Sequence, residues 1–184
     1  MNLALAPSVT TLSLPVRILA GTAVLILASK ITVPFYPVPM TLQTLAVLAL
    51  GLFAGFGGAV GAMLSYLALG AVGVQVFAQP GAAGLAHILG PTGGYLAGFL
   101  VAAALVGALA DRGARQNGWA TFGAVLAGIT SVYLCGVAWL SQLVGVDRAI
   151  TLGVVPFLYA EALKIAVLLA IAAAYRLRMR RHSA

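Results

Sequence analysis

Glu161 and Lys164 are an acid and an amine set deep inside an apolar stretch, "PFLYAEALKIAVLLAIAAAY", in a chain with only three acidic residues. Their i, i+3 spacing puts both on one helical face, where they can neutralise each other. An unpaired charge inside a bilayer costs on the order of 2.5 to 3.5 kcal/mol on insertion scales, so such residues face a cavity or a partner. In a cavity the carboxylate accepts and the ammonium donates, which suits a polar heterocycle; as a plain ion pair the two would only hold helices together. Gln43 and Tyr95 share their level. Counted from Pro39, Pro91 and Pro156, the four side chains fall roughly 6 to 12 Å along their helices at about 1.5 Å per residue. Gln43 can supply either a donor or an acceptor. For Gln43 and Tyr95 the alternative is polar glue between packed helices.

The elements that must carry these residues are membrane spans. Of 184 residues, 62% are hydrophobic and 7% charged, and mean hydropathy is +1.10. A soluble domain has roughly 25% charged residues, so this composition cannot supply a water-facing shell. Between Lys30 and Asp111 there is no Lys, Arg, Asp or Glu, room for several crossings at about 20 residues each. Proline and glycine clusters then mark the breaks. Spans are expected at about 16–33, 40–54, 59–72, 94–109, 119–144 and 156–175. The predicted fold is a single six-helix, all-α membrane domain over 1–184. The "GFGG" of 55–58 turns the second span into the third, and 73–94 is too rich in proline and glycine for a regular helix. Glycines four apart (Gly51 and Gly55, Gly57 and Gly61, Gly94 and Gly98) let backbones approach closely.

The net charge of +7 and pI near 10.2 would suggest nucleic acid in a soluble protein, but the charges are placed for a membrane. Lys and Arg accumulate in cytoplasmic loops. With both termini inside, Arg17, Arg112, Arg115, Arg176, Arg178, Arg180 and Arg181 are cytoplasmic, and only Lys30 and Arg148 lie outside. The carboxy-terminal arginines read as a stop-transfer signal and an anionic-lipid anchor. No charged leader or small-residue cleavage pattern precedes the first span, so no removable signal peptide is expected. The proline elbow "KITVPFYPVPMTLQTL" and the 73–94 connection then face outward, and the site is sought there.

Several function classes lack their residues. The single cysteine, Cys135, makes neither a disulfide framework nor a cysteine metal site. His87 lies in a loop and His182 in the tail, far from any nucleophile they could serve. No HExxH motif or P-loop occurs, so neither zinc chemistry nor ATP hydrolysis falls to this chain. No span carries the polar rings of a pore.

The stretches "VPFYPVPMTLQTLAVLALGLFAG", "GAVGVQVFAQP", "HILGPTGGYLAGF" and "PFLYAEALK" together resemble the biotin-specific substrate-binding subunit (BioY type) of energy-coupling-factor transporters. The resemblance implies high-affinity capture of biotin from outside. It implies no cofactor of the chain's own, a transmembrane coupling subunit, two ATPase subunits that use ATP, and a bacterial cytoplasmic membrane. The family's Pro-Gly-Asp-x-x-Lys pattern falls on Tyr159 to Lys164, where Glu161 is one methylene longer and the Pro-Gly is absent. Gln43 falls on the family's TLQ and Tyr95 on its GPTGGY. Biotin's ureido ring has two N–H donors and a carbonyl; Phe35, Tyr36, Phe77 and Tyr95 would give its fused rings and tail apolar cover. Docking through small residues four apart on the first helix implies Ala20, Val24 and Ala28. The alternative is a self-sufficient, proton-coupled carrier of biotin or a related small vitamin, with Glu161 as its acid, although no inverted repeat or second intramembrane acid is evident. A homo-oligomer stands as an alternative assembly.

Overall fold

The structure, a computed structural model, describes residues 12–183, with side chains to Arg181. The leader expectation falls on residues 1–11, and the His182 side chain likewise lies outside the described residues. Helix α1 is Leu14–Lys30, α2 Gln43–Ala71, α3 Gly84–Ile88, α4 Gly93–Asp111, α5 Gly118–Val144, α6 Val146–Gly153 and α7 Leu158–Ser183; strands β1 (Thr32–Val33) and β2 (Met40–Thr41) lie between α1 and α2. By length and composition, four stretches could cross a membrane: Gln43–Ala71, Gly93–Asp111, Gly118–Val144 and Val146–Arg181. Helix α1, 17 residues long, adds a fifth long apolar element.

Helix α2 holds two of the expected spans. At Gly55 the backbone takes φ 71° and ψ −179°, a conformation essentially reserved for glycine, and the chain reverses there. Gly21 of α1 lies against both Leu50 and Ala62, one from each half, as an antiparallel pair requires. The reversal therefore rests on Gly55 alone; Gly57 and Gly58 are helical. Charged side chains complete the turn's broken hydrogen bonds. Asp111 Oδ2 accepts from the Phe56 amide at 2.9 Å. Arg17 donates to the Ala54 carbonyl at 2.7 Å and Arg115 to Phe53 at 3.4 Å. An anion sits on new amides and cations on ending carbonyls, matching the helix dipole at each end.

Glycine sets the remaining packing. A Cβ at Gly51 would meet Val106 at 2.8 Å, and one at Gly98 the Val132 backbone at 2.8 Å, so α2, α4 and α5 approach at backbone distance. Leu48, Leu52, Met63, Val106 and Val125 are fully buried between them. Helix α7 is the most peripheral, with Leu163, Val167 and Ile171 on its exposed side. The start of α1 and the end of α7 lie at one end of the bundle, joined through the Gly55 turn and the Phe53–Tyr175 ring pair at 5.6 Å.

Two short helices depart from the sequence expectation. Helix α3 forms inside 73–94, and α6 fills the 145–155 connection. Eight residues beginning "VDR" read as a polar loop, yet Ala149 and Gly153 on one face are buried.

Candidate functional site

At the end opposite the Gly55 turn, the proline elbow does more than end one helix. β1 and β2 pair antiparallel, Thr32 with Thr41 and Val33 with Met40, and the Tyr36–Pro37 peptide is cis. The ladder folds the elbow inward, burying Val38. Val38, Pro39, Met40 and Thr41 then form one wall of a cavity that holds about 620 Å³ of space, its mouth included.

The opposite wall is largely aromatic, and polar contacts hold several of its rings. Ser29 and Tyr66 both donate to the Val76 carbonyl, at 2.7 and 3.2 Å. Lys30 donates to Gln75 and Phe77 carbonyls at 2.8 and 2.6 Å. The 75–77 segment is thereby pinned, and Phe77 drops onto Gly70, whose missing side chain makes its room. Tyr66 meets Phe77 edge-on at 5.6 Å, and His87 stacks on Phe77 at 4.6 Å. Tyr95 crosses above Gly136 and donates to the Gly153 carbonyl at 2.8 Å; its ring faces the cavity while its hydroxyl anchors α6. Trp139 donates to Gly90 at 2.9 Å, holding the "GPTGG" loop where α4 begins. His87 Nε2 lies 3.4 Å from Thr92 Oγ1. Burial holds the His87 imidazole below its ordinary pKa, favouring the neutral ring.

The polar floor comes from α2 and α7. Lys164 Nζ donates to Glu161 Oε1 at 2.7 Å, to Thr44 Oγ1 at 3.0 Å and to the Thr41 carbonyl at 2.6 Å. Thr44 Oγ1 in turn donates to Glu161 Oε1 at 2.9 Å. An ammonium has three donors, so Lys164 is fully used by the protein and lies behind the cavity surface. Gln43 Nε2 and Glu161 Oε2 are buried without a hydrogen-bond partner, and both residues line the cavity. An orphaned buried polar group costs about 1 to 3 kcal/mol, which makes this pair a place prepared for something to fill.

Of the residues singled out by sequence, Gln43, Phe77, Tyr95 and Glu161 line one cavity, and Lys164 supports it from behind. Phe35 and Tyr36 do not line it: Phe35 packs edge-on against Phe157 at 5.8 Å, and Tyr36 is 86% exposed. Ala20 and Val24 lie on the exposed face of α1, whereas Ala28 is 5% exposed and belongs to the core. Two steps of four residues rotate a helix position by about 80°, which carries Ala28 off that face. Thr44, Tyr66, Thr92, Tyr133 and Phe157 also line or support the cavity. A tyrosine within an apolar span was the available signal for Tyr66 and Tyr133; nothing in the sequence marks Phe157.

Comparison with known proteins places this geometry. The sequence profile described as the BioY family matches residues 4–181. A protein of Pyrococcus horikoshii named "Probable biotin transporter BioY" is 38% identical over 144 residues, covering 78% of this chain and 84% of that protein. The "Biotin transporter BioY" of Thermotoga maritima is 35% identical, covering 79% and 85% of the two chains. The crystal structure of the S-component for biotin from an ECF-type ABC transporter superposes with a TM-score of 0.76 at 25% identity, covering 93% of this chain and 94% of that one.

Proposed function

The chain belongs to the BioY family, and from that premise we propose how its cavity takes up biotin. The protein is a multi-pass membrane transporter subunit, not an enzyme, and acts in biotin uptake as the substrate-binding (S) subunit of an energy-coupling-factor transporter. The observation that carries the site assignment is the pair of unpartnered buried atoms, Gln43 Nε2 and Glu161 Oε2, in residues that line a largely apolar cavity. A ureido ring presents a carbonyl to the first and an N–H to the second. Binding thus satisfies two groups that the empty protein leaves unsatisfied, and it draws affinity from relieving that cost. Phe77 and the Tyr95 ring cover the fused rings, and Phe99 and Phe157 extend the apolar lining. Lys164 holds the Glu161 carboxylate in place through Oε1, a positioning role. Phe35 and Tyr36 belong to the outer rim of the elbow.

The finer assembly rests on the same premise. The subunit lies in a bacterial cytoplasmic membrane with both termini cytoplasmic and the cavity facing out. It docks on a transmembrane coupling subunit through the α1 face bearing Ala20, Ala23, Val24 and Leu27, all exposed, and partner ATPase subunits hydrolyse the ATP.

The double variant Glu161→Gln, Lys164→Met tests the site, because removing both charges together avoids stranding either one. It is expected to insert and melt like the parent yet bind biotin at least 30-fold more weakly by calorimetry in detergent, about 2 kcal/mol. Near-parental affinity would put the pocket elsewhere.

A further inference from the structure

At the Gly55 end of the bundle, a cleft of about 740 Å³ opens between the start of α5 and the last turns of α7, lined by Gln116, Asn117, Gly118, Arg176, Leu177 and Arg180. Arg176 and Arg180 are four apart, so their guanidinium groups share one helical face. Arg176 is held in place: it donates to Thr121 Oγ1 at 3.0 Å. Thr121 is fully buried and fixed by its own bonds to the Ala114 and Asn117 carbonyls, both at 2.8 Å. The guanidinium is therefore preorganised across two helices.

Among the described residues the cleft has no acidic counter-ion. The chain has three acidic side chains, and each is placed elsewhere. Asp111 caps the Phe56 amide, Glu161 is bonded to Lys164, and Asp147 starts α6 at the opposite end of α5. No described side chain therefore supplies an anion to this cleft. The surroundings identify the source of one. Leu177, 60% exposed, lies on the cleft wall, and Trp119, 85% exposed, follows Gly118 directly. Leu177 is an apolar surface beside the two guanidinium groups, and exposed tryptophan at this level of α5 is characteristic of the membrane interface. A free anion has no use for that apolar surface; a phosphate carrying acyl chains does.

We propose that Arg176 and Arg180, with the Asn117–Gly118 wall, form a defined binding site for the phosphodiester headgroup of an anionic phospholipid. Arginine's planar fork matches phosphate oxygens bidentately, and juxtamembrane basic residues each favour anionic lipid by about 1 kcal/mol. The site ties the end of α7, the helix that carries Glu161 and Lys164 toward its other end, to α5.

The test uses two variants of equal net charge. Arg176→Gln, Arg180→Gln empties the cleft, whereas Arg178→Gln, Arg181→Gln removes two arginines that do not line it. Retention of phosphatidylglycerol by the detergent-purified protein is measured by native mass spectrometry, with phosphatidylcholine and inorganic phosphate as parallel probes. The expected result is a lipid affinity at least about ten-fold lower for the first variant, near-parental retention for the second, and no comparable retention of either parallel probe. Equal losses in both variants would show diffuse charge attraction and overturn a defined site. Inorganic phosphate bound as tightly as phosphatidylglycerol would overturn the lipid source. Phosphatidylcholine held equally well would remove the anionic headgroup from the recognition. Biotin affinity measured on the same samples shows whether the variants are folded.

Discussion

The two ends of the bundle handle buried polarity in opposite ways. At the Gly55 turn each named charge is absorbed by the backbone: Asp111 on the Phe56 amide, Arg17 and Arg115 on the Ala54 and Phe53 carbonyls. The chain's own side chains close the break in α2, although Arg17 Nε there is also buried without a partner. At the cavity end Lys164 is similarly absorbed, with three acceptors for three donors, but the absorption stops two atoms short. Glu161 Oε2 and Gln43 Nε2 remain without partners. Unlike Arg17, the residues left unsatisfied at the second end line a cavity that an occupant can fill. Perturbations should separate accordingly, affecting melting at one end and affinity at the other.

The largest effect is expected from Lys164→Ala. It removes the cation facing Glu161 and three hydrogen bonds at once, leaving a carboxylate unpaired in a poorly solvated place. Truncating one partner of a buried charge pair costs about 2 to 5 kcal/mol, so biotin affinity measured by calorimetry should fall by 30-fold or more. The loss should exceed that of the double variant in melting temperature, because the double variant strands nothing. Should Lys164→Ala melt and bind like the parent, the pair contributes to neither fold nor site.

Gly55→Ala should act on the other end alone. At φ 71° and ψ −179° an alanine is strained, and its Cβ would press against the Asp111 carboxylate. Strain of this kind costs about 1 to 3 kcal/mol. The variant is expected to lose several degrees in thermal melting while keeping biotin affinity within about two-fold, since no cavity residue touches Gly55. A large loss of affinity would mean that the two ends are coupled through α2.

Gln43→Met sharpens the contrast through its sign. Methionine is nearly isosteric with glutamine and carries no donor to leave unsatisfied. Removing an orphaned buried group relieves about 1 to 3 kcal/mol in the empty protein. Melting without ligand should therefore stay constant or rise, while biotin affinity falls about ten-fold for one lost hydrogen bond. Parallel loss of both would instead assign Gln43 to structure.

What the sequence makes legible follows the same division. Glu161, Lys164 and Gln43 are visible because polarity inside an apolar span is expensive and needs a reason. The Gly55 reversal is visible because glycine clusters punctuate helices, although one glycine of the "GFGG" does the work. The side of a residue on its element is harder to read. Phe35 and Tyr36 precede Val38 and Pro39 on the same elbow, yet only the latter two turn into the cavity. The phase that buries Ala28 depends on which face of α1 meets α2, which no local pattern specifies. That Lys164 has no donor to spare was also invisible: one of its acceptors is the Thr41 carbonyl, and every residue has a carbonyl. Short α3 and α6 were hidden because one or two helical turns bury too few residues to leave a periodicity.

The smallest expected effect is a pH dependence at the cavity wall. His87 stacks on Phe77 at 4.6 Å and its Nε2 lies 3.4 Å from Thr92 Oγ1. Lys30 is held on the Phe77 carbonyl at 2.6 Å. Burial lowers the His87 pKa from its ordinary 6.5, because a charged imidazolium is less well solvated there than in water. The folded protein therefore binds the proton more weakly than the unfolded chain. Stability from this residue is fully present above pH 6.5 and is lost as pH falls through the lowered folded value. His87→Phe keeps a ring against Phe77 and removes the titration. Melting temperatures of parent and variant, measured from pH 8 to pH 5, should differ by a constant offset above about pH 6.5 and then converge or cross as the parent alone loses this contribution. If the two curves stay parallel throughout, another group sets the acid sensitivity and the His87 ring is no more than an aromatic plate in the wall.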